Sequence, residues 1–144
     1  MEKRLKELTE LNDFAQEYIS HISPHENHAT LITLQGDLGA GKTAFTKALA
    51  KALGVEEHIT SPTFVLAKHY TLDNQSFEQL VHIDAYRLEK GEDLGPIEFD
   101  QLLKSPKNLV VLEWPECVEE AVPEWAHNVH IVLEGEERIF TYEN

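Results

Sequence analysis

The segment Gly36–Thr43 constrains the fold of this chain more than any other stretch. It reads Gly-Asp-Leu-Gly-Ala-Gly-Lys-Thr and matches the phosphate-loop pattern of Gly, four residues of any type, then Gly-Lys and Ser or Thr. The apolar run Leu31–Leu34 predicts a strand before it, and Lys42–Leu53 predicts an amphipathic helix after it. Glycines let backbone N–H groups turn toward phosphates without Cβ clashes. This context predicts an α/β fold that holds nucleotide phosphates at a helix N-terminus.

The residues of this loop have different predicted tasks. Lys42 is expected to reach the β- and γ-phosphates, and the Thr43 hydroxyl is expected to bind Mg²⁺. A glycine turn that only joins a strand to a helix is the alternative, and the full match in its full context argues against it. The residues predicted to contact the nucleotide are Asp37, Leu38, Gly39, Ala40, Gly41, Lys42, Thr43 and Ala44.

Two later predicted strands end in a carboxylate. Asp84 closes the strand Leu80–Asp84, and Glu113 closes the strand that begins at Asn108. In an open parallel sheet the carboxyl ends of the strands line the ligand crevice, so both acids can face the phosphate loop. Mg²⁺ prefers such oxygen ligands. For each acid, a solvated strand end or a helix cap is the alternative.

A hydroxyl-rich loop, Thr60–Thr63, precedes another predicted strand. In phosphate-loop enzymes such a loop can contact the γ-phosphate or position water, and so respond to hydrolysis. A turn fixed by Ser61 and Pro62 explains the same residues. Local chemistry leaves both interpretations open.

The remaining pattern favours a three-layer α/β fold of the P-loop NTPase type, with a mainly parallel central sheet and a C-terminal β-hairpin. No repeat, low-complexity tract or Gly/Ser linker interrupts it, so residues 1–144 are expected to form a single domain. The other predicted elements are a helix Glu10–Ile22 capped by Thr9 or Asn12, a strand Thr63–Thr71, a short helix Asp93–Leu103 with Pro96 near its start, and a hairpin of Val129–Leu133 with Arg138–Tyr142.

Composition limits the partners and the compartment. With 12 basic and 26 acidic residues the net charge is −14, which argues against nucleic-acid binding by the chain alone. Simple solubility explains this charge better than a role in choosing partners does. Cys117 is the only cysteine, so an intrachain disulfide is excluded. No signal peptide and no apolar run long enough to span a bilayer is present, so a cytoplasmic protein without membrane contact is expected.

Four segments in order resemble one family. They are Gly36–Thr43, then Ser61-Pro62-Thr63-Phe64, then His82-Ile83-Asp84-Ala85-Tyr86-Arg87-Leu88, then Glu113-Trp114-Pro115. The chain resembles the TsaE (YjeE) family, the ATPases of bacterial tRNA threonylcarbamoyladenosine biosynthesis. The resemblance spans nearly the whole chain, including the N-terminal helix and Arg138. Ala44 stands where a second threonine is common and Ala85 where a larger apolar residue is usual, and neither change removes a group needed for phosphate or metal binding.

This resemblance implies a function. It implies binding of ATP and Mg²⁺, weak ATP hydrolysis by the chain alone, and work with the proteins TsaB and TsaD. Hydrolysis would support repeated transfer of a threonylcarbamoyl group, by TsaD, to adenosine 37 of tRNAs that read codons starting with A, and the tRNA would be held through the complex.

The resemblance also implies roles for particular residues. By the family pattern, Lys42 contacts phosphates, and Thr43 with Glu113 holds Mg²⁺. Asp84 belongs to the catalytic centre. The segment from Ser61 to Thr63 behaves as a switch, with Thr63 among the catalytic residues, and Trp114 is a functional aromatic beside it.

Other phosphate-loop functions fit the sequence less well. Small-molecule kinases usually clamp the transferred phosphoryl group with arginines from a lid. The three arginines here are scattered: Arg4 is expected in an N-terminal tail, Arg138 in the late hairpin, and Arg87, either catalytic or structural, is the only internal candidate. No Asn-Lys-x-Asp segment is present to read guanine, which argues against a regulatory GTPase. A nucleotide-binding regulator that does not hydrolyse is a further alternative.

Overall fold

A seven-stranded sheet runs through the computed structural model, which describes residues 1–60, 62 and 65–143. In chain order the elements are β1 (Glu2–Leu5), α1 (Leu8–Ser20), β2 (Thr30–Gln35), α2 (Lys42–Ala52), β3 (Ala67–Thr71), β4 (Gln79–Asp84), a 3₁₀ helix (Gly91–Ile97), α3 (Phe99–Lys104), β5 (Asn108–Glu113), a second 3₁₀ segment (Pro115–Ala121), β6 (His127–Glu134) and β7 (Glu137–Tyr142). The strand order in the sheet is β1-β7-β6-β2-β5-β4-β3.

The centre of the sheet is parallel and its margins are antiparallel. Strand β2 pairs in parallel with β5 and β6, and β5 pairs in parallel with β4. On one side β7 and β1 continue the sheet antiparallel, and on the other side β3 does so. The predicted parallel centre and C-terminal hairpin are therefore confirmed. Because neighbouring parallel strands point the same way, the carboxyl ends of β2, β4 and β5 lie at one edge of the sheet.

Helices α1 and α2 cover one face of the sheet. Between them and the strands lies an aromatic cluster of Phe14, Phe45 and Phe140, whose ring centroids are 5.0 to 5.6 Å apart. All three side chains are buried. The separations are those of favourable aromatic pairs, so these rings join α1, α2 and β7 into one core.

The opposite face is covered by α3 and the two 3₁₀ segments. Their buried side chains Leu94, Phe99 and Val118 pack on Val110 and Leu112 of β5. This second cluster gives the fold its third layer, as predicted. None of the helices in the described ranges is both long and apolar enough to cross a membrane.

The N-terminal strand β1 was not predicted. Arg4, expected in a tail, lies in β1, which pairs with β7 so that Leu5 is opposite Arg138. Only one apolar side chain occurs in Glu-Lys-Arg-Leu, so this segment has no alternating pattern. The strand forms because the segment pairs with β7. Helix α1 also begins earlier than predicted: its N-cap is Glu7, not Thr9 or Asn12, and the Glu7 N–H donates to Glu10 Oε1 at 3.1 Å.

The predicted helix Asp93–Leu103 is wrong as a single element. The backbone turns left-handed at Glu98 (φ 55°), which separates the 3₁₀ helix containing Pro96 from α3. The described part of the predicted strand Thr63–Thr71 becomes regular only at Ala67, because Leu66 has φ 69°. Thr63 itself lies outside the described residues, as does the Ser61 of the predicted switch.

Candidate functional site

The loop that joins β2 to α2 depends on glycine at its start and at its end. A Cβ on Gly36 would lie 2.5 Å from the carbonyl oxygen of Ile131 in β6. Gly41 has φ 113°, a left-handed conformation that residues with a Cβ rarely adopt. The loop therefore lies flat against β6 at its start and turns sharply into α2 at its end, between a strand and a helix as the sequence predicts.

Lys42 is held inside this loop. Its side chain is buried, and Nζ donates to the carbonyl oxygens of Gly36 and Asp37, the latter at 2.9 Å. Nζ also lies 4.0 Å from the centroid of the Trp114 ring. Burial lowers the pKa of the Lys42 ammonium, and nearby carboxylates, Glu113 foremost, act in the opposite direction. The ammonium thus donates to carbonyl oxygens of the loop itself, and phosphate oxygens can replace them as acceptors.

Thr43 and Glu113 are brought together from distant parts of the chain. Thr43 Oγ1 donates to Glu113 Oε1 and Oε2, at 3.1 and 3.2 Å. Strands β2 and β5 are parallel neighbours with Leu34 opposite Glu113, so the end of β5 lies beside the start of α2. The two residues predicted to bind a metal thus form one cluster of oxygen atoms.

This oxygen cluster fits Mg²⁺ rather than a softer metal. A hydroxyl and a carboxylate are hard donors of the kind that Mg²⁺ prefers, usually one or two of them completed by phosphates and water. Within the described ranges no group of three or more His, Cys, Asp or Glu side chains is arranged to hold a metal. The donor set is consistent with a metal that binds together with a nucleotide.

Sequence reasoning missed His82, which holds the same carboxylate from the other side. His82 is fully buried in β4, and its Nε2 is hydrogen-bonded to Glu113 Oε2. Its Nδ1 has no hydrogen-bond partner among the described residues. The signal was available: His82 and Asp84 are two residues apart on one strand and so share a face. A polar residue on that face indicates contact with the strand-end acids.

Asp84 lies on the strand next to Glu113. The two residues are opposite each other in the β4–β5 register, and Asp84 is largely buried. Asp84 Oδ1 accepts the backbone N–H of Tyr86 at 2.9 Å, a turn that ends the strand. The two predicted strand-end carboxylates are therefore adjacent, at the edge of the sheet that also carries the loop.

Aromatic side chains border this edge. Trp114 follows Glu113 in a left-handed conformation (φ 61°), and its ring centroid is 5.0 Å from that of Tyr86. The Tyr86 side chain is exposed, and so is Leu38 at the tip of the loop. The left-handed turn at Trp114 directs the chain out of β5 while its ring stays over Lys42.

Arg138 contacts the loop, although the sequence placed it only in the hairpin. Its Nε donates to the carbonyl oxygen of Ala40 at 3.1 Å. Arg87, expected as the only internal candidate for a catalytic cation, is exposed just beyond β4. The order β7-β6-β2 brings Arg138 near the loop across one intervening strand. No local pattern signals such a contact, because it depends on the order of strands.

The family model and the similar proteins of known name all point to one family. The family model for threonylcarbamoyl adenosine biosynthesis protein TsaE matches residues 5–140. The tRNA threonylcarbamoyladenosine biosynthesis protein TsaE of Bacillus subtilis is 39% identical over 114 residues, which are 78% of this chain and 68% of that protein. The protein of the same name from Treponema pallidum is 38% identical over 102 residues, 71% of this chain and 72% of that protein.

A solved structure supports the fold assignment. The crystal structure of Bacillus subtilis YdiB superimposes with a TM-score of 0.78 at 26% identity, covering 99% of this chain and 83% of that one. The fold is that of a P-loop NTPase, with the family match running from the last residue of β1 into β7. The chain therefore belongs to the TsaE family of threonylcarbamoyl adenosine biosynthesis proteins.

Proposed function

We propose that this chain is a cytoplasmic, Mg²⁺-dependent ATPase that acts with TsaB and TsaD in forming the threonylcarbamoyl group on adenosine 37 of tRNAs reading codons that start with A. It is not itself the transferase. The observation that carries the proposal is the cluster at the carboxyl edge of the sheet, where Thr43 contacts Glu113 and Lys42 is buried in the adjoining loop. Membership of the TsaE family supports a role in threonylcarbamoyl adenosine biosynthesis.

Phosphate binding is the first step, and the loop supplies it. The N–H groups of the loop and the N-terminus of α2 present partial positive charge to an anion. Lys42 then gives up its carbonyl contacts and donates to the β- and γ-phosphates. The nucleotide contacts are proposed for Asp37, Leu38, Gly39, Ala40, Gly41, Lys42, Thr43 and Ala44, since these residues form the loop and the first turn of the helix.

Thr43 and Glu113 would hold Mg²⁺ beside these phosphates. When bound, the ion would supply positive charge that offsets the negative charge developing during phosphoryl transfer. His82 fixes the Glu113 carboxylate from the side opposite Thr43. Asp84, on the neighbouring strand, is proposed to orient the attacking water and accept its proton, and Thr63 to take part from the switch loop.

Glu113→Gln tests the metal site. The change keeps the size of the side chain but removes the charge that attracts Mg²⁺. We expect the apparent Mg²⁺ affinity in nucleotide binding to fall at least about tenfold, the loss seen even for outer-shell partners of metals. A Mg²⁺ titration at fixed nucleotide measures it, with exposed Glu119→Gln as the matched control. Unchanged metal dependence would transfer the ligand role to Asp84.

The partners are proposed to complete the ATPase and to hold the RNA. A net charge of −14 leaves the chain poorly suited to bind tRNA by counterion release on its own. Exposed Tyr86 and Leu38 border the site, and a protein seated there would exclude water from the reaction. The tRNA would therefore contact this chain only through the complex.

The rate of ATP hydrolysis with and without the partners tests the whole proposal. Basal hydrolysis should be slow and should rise when the partners are added. We expect TsaB with TsaD to increase the rate on the order of 10- to 100-fold, the size of ordinary coupling between sites. Steady-state ATPase and modified tRNA are measured together, with and without the partners. A fast isolated enzyme that the partners do not affect would contradict the partner dependence. ATP turnover without any requirement for this chain in tRNA modification would contradict the pathway.

A further inference from the structure

The contact between Arg138 and the loop plays no part in the binding of phosphates and Mg²⁺ proposed for Lys42, Thr43 and Glu113. Its side chain is half-buried and runs from β7 across the end of the loop. A Cβ built on Gly41 would lie 2.8 Å from Arg138 Nε and 3.0 Å from Cδ, so the side chain passes directly over the Gly41 Cα. Its Nε donates to the carbonyl oxygen of Ala40 at 3.1 Å. The contact is therefore with one peptide unit, the one that joins Ala40 to Gly41.

In the peptide between Ala40 and Gly41, the direction of the C=O determines the direction of the N–H. In a planar trans peptide the C=O and the N–H point in opposite directions. When Ala40 presents its carbonyl oxygen to Arg138, the N–H of Gly41 must point away from β7. In a phosphate loop the backbone N–H groups have to face the phosphates. A rotation of this peptide would instead present a carbonyl oxygen to them, and two negative groups would repel each other.

The sheet fixes the place from which Arg138 reaches the loop. Strand β7 is paired on both sides, with Arg138 opposite Leu5 of β1 and opposite Leu133 of β6. Leu5 is buried in the core that α1 and α2 share with the sheet. The guanidinium is consequently anchored to a strand paired on both sides, while the loop residues Asp37, Leu38 and Gly39 are exposed.

We propose that Arg138 is a positioning residue for phosphate binding, which holds the Ala40–Gly41 peptide so that its N–H faces the phosphates. The proposal rests on the proposed function, because it requires that the loop binds phosphates. It differs from a direct ionic role, since the guanidinium acts through the backbone of the loop. It also differs from contact with the nucleoside, although Arg138 and Ala44 line one groove and such contact has to be tested.

The test compares two ligands and four proteins. ADP and inorganic tripolyphosphate share phosphates, but only ADP has a nucleoside. Their dissociation constants are measured by calorimetry with EDTA present, so that metal ligands do not contribute. The proteins are the parent chain, Arg138→Met, Arg138→Lys and Arg4→Gln. Arg4 is the matched control, because it lies on the neighbouring strand but is exposed and paired with Glu2.

We expect Arg138→Met to weaken both ligands by a similar factor of about tenfold, the loss of one hydrogen bond to a charged group. Arg138→Lys should recover most of the affinity, because an ammonium can donate to the same carbonyl. Arg4→Gln should bind like the parent. The loss should persist in about 0.5 M salt, where interactions between exposed charges are largely screened. The melting temperature of Arg138→Met should stay near that of the parent.

Several results would overturn the inference. They are unchanged affinity in Arg138→Met, a loss that disappears in high salt, or a loss confined to ADP, which would place Arg138 on the nucleoside. Should Arg138→Met fail to fold, Arg138→Gln replaces it, and unfolding of both would show a purely structural side chain. If the parent chain binds neither ligand, the proposed function fails, which is a different result from equal binding by parent and variant.

Discussion

Lys42→Ala is expected to lower ATP affinity and ATP hydrolysis together, by roughly 10²- to 10⁴-fold. The ammonium is proposed to make two charge-assisted hydrogen bonds to phosphates, each worth about 1.5–3 kcal/mol. The fold should survive, because the hydrogen bonds that the change removes go to the carbonyls of Gly36 and Asp37, within the loop itself. Burial already lowers the pKa of this ammonium, so its removal relieves a desolvation cost as well.

Calorimetry with ATP and steady-state ATPase measurements check this expectation. Lys47→Ala is the matched control, since Lys47 lies on the same helix with its side chain exposed. A thermal melt shows whether the fold is retained in each variant. Parent-like ATP binding by a folded Lys42→Ala chain would refute the phosphate-loop interpretation, and with it the proposed function.

Asp84→Asn should reduce the rate of hydrolysis while leaving nucleotide affinity nearly unchanged. A positioned general base contributes about 10²- to 10⁴-fold to such a step, and an amide cannot accept the proton. Asparagine keeps the oxygen that accepts the Tyr86 N–H, so the turn after β4 should be preserved. A loss confined to kcat would therefore separate this acid from Glu113, whose replacement should change the metal requirement.

Single-turnover rates with saturating nucleotide measure the chemical step directly. Asp93→Asn is a suitable control, because Asp93 also accepts backbone N–H groups, those of Glu89 and Lys90, but does so outside the site. Both variants should lose a similar, small amount of stability. If Asp84→Asn hydrolyses ATP at the parent rate, the base must be sought elsewhere in the site.

The sequence predicted the central elements because their signals are local. The loop Gly36–Thr43 carries its own pattern, and the strands ending in Asp84 and Glu113 are apolar runs of buried parallel strands. The rule that carboxyl ends share one edge then predicted that Glu113 can face the phosphate loop, and its contact with Thr43 agrees.

What the sequence did not reveal depends on distant pairing. Strand β1 has a single apolar residue and exists through its contacts with β7, so no periodicity identifies it. Arg138 reaches the loop because the strand order places β7 only one strand away from β2, with β6 between them. The break at Glu98 is a different case: a left-handed residue that is not glycine has no reliable sequence signal, even with Pro96 nearby.

The position of Arg138 on β7, the last strand, has a consequence for the order of events during synthesis. Ala40 and Arg138, which meet through one hydrogen bond, are 98 positions apart in the chain. A ribosome makes β1, the loop and α2 first, and these segments must remain without their final neighbour until β7 emerges. Contacts between segments so far apart in the chain form slowly, because the entropy of loop closure is lost before the contact stabilises the fold. A nascent chain halted before residue 137 would thus carry a complete phosphate-binding motif whose supporting arginine has not yet been made.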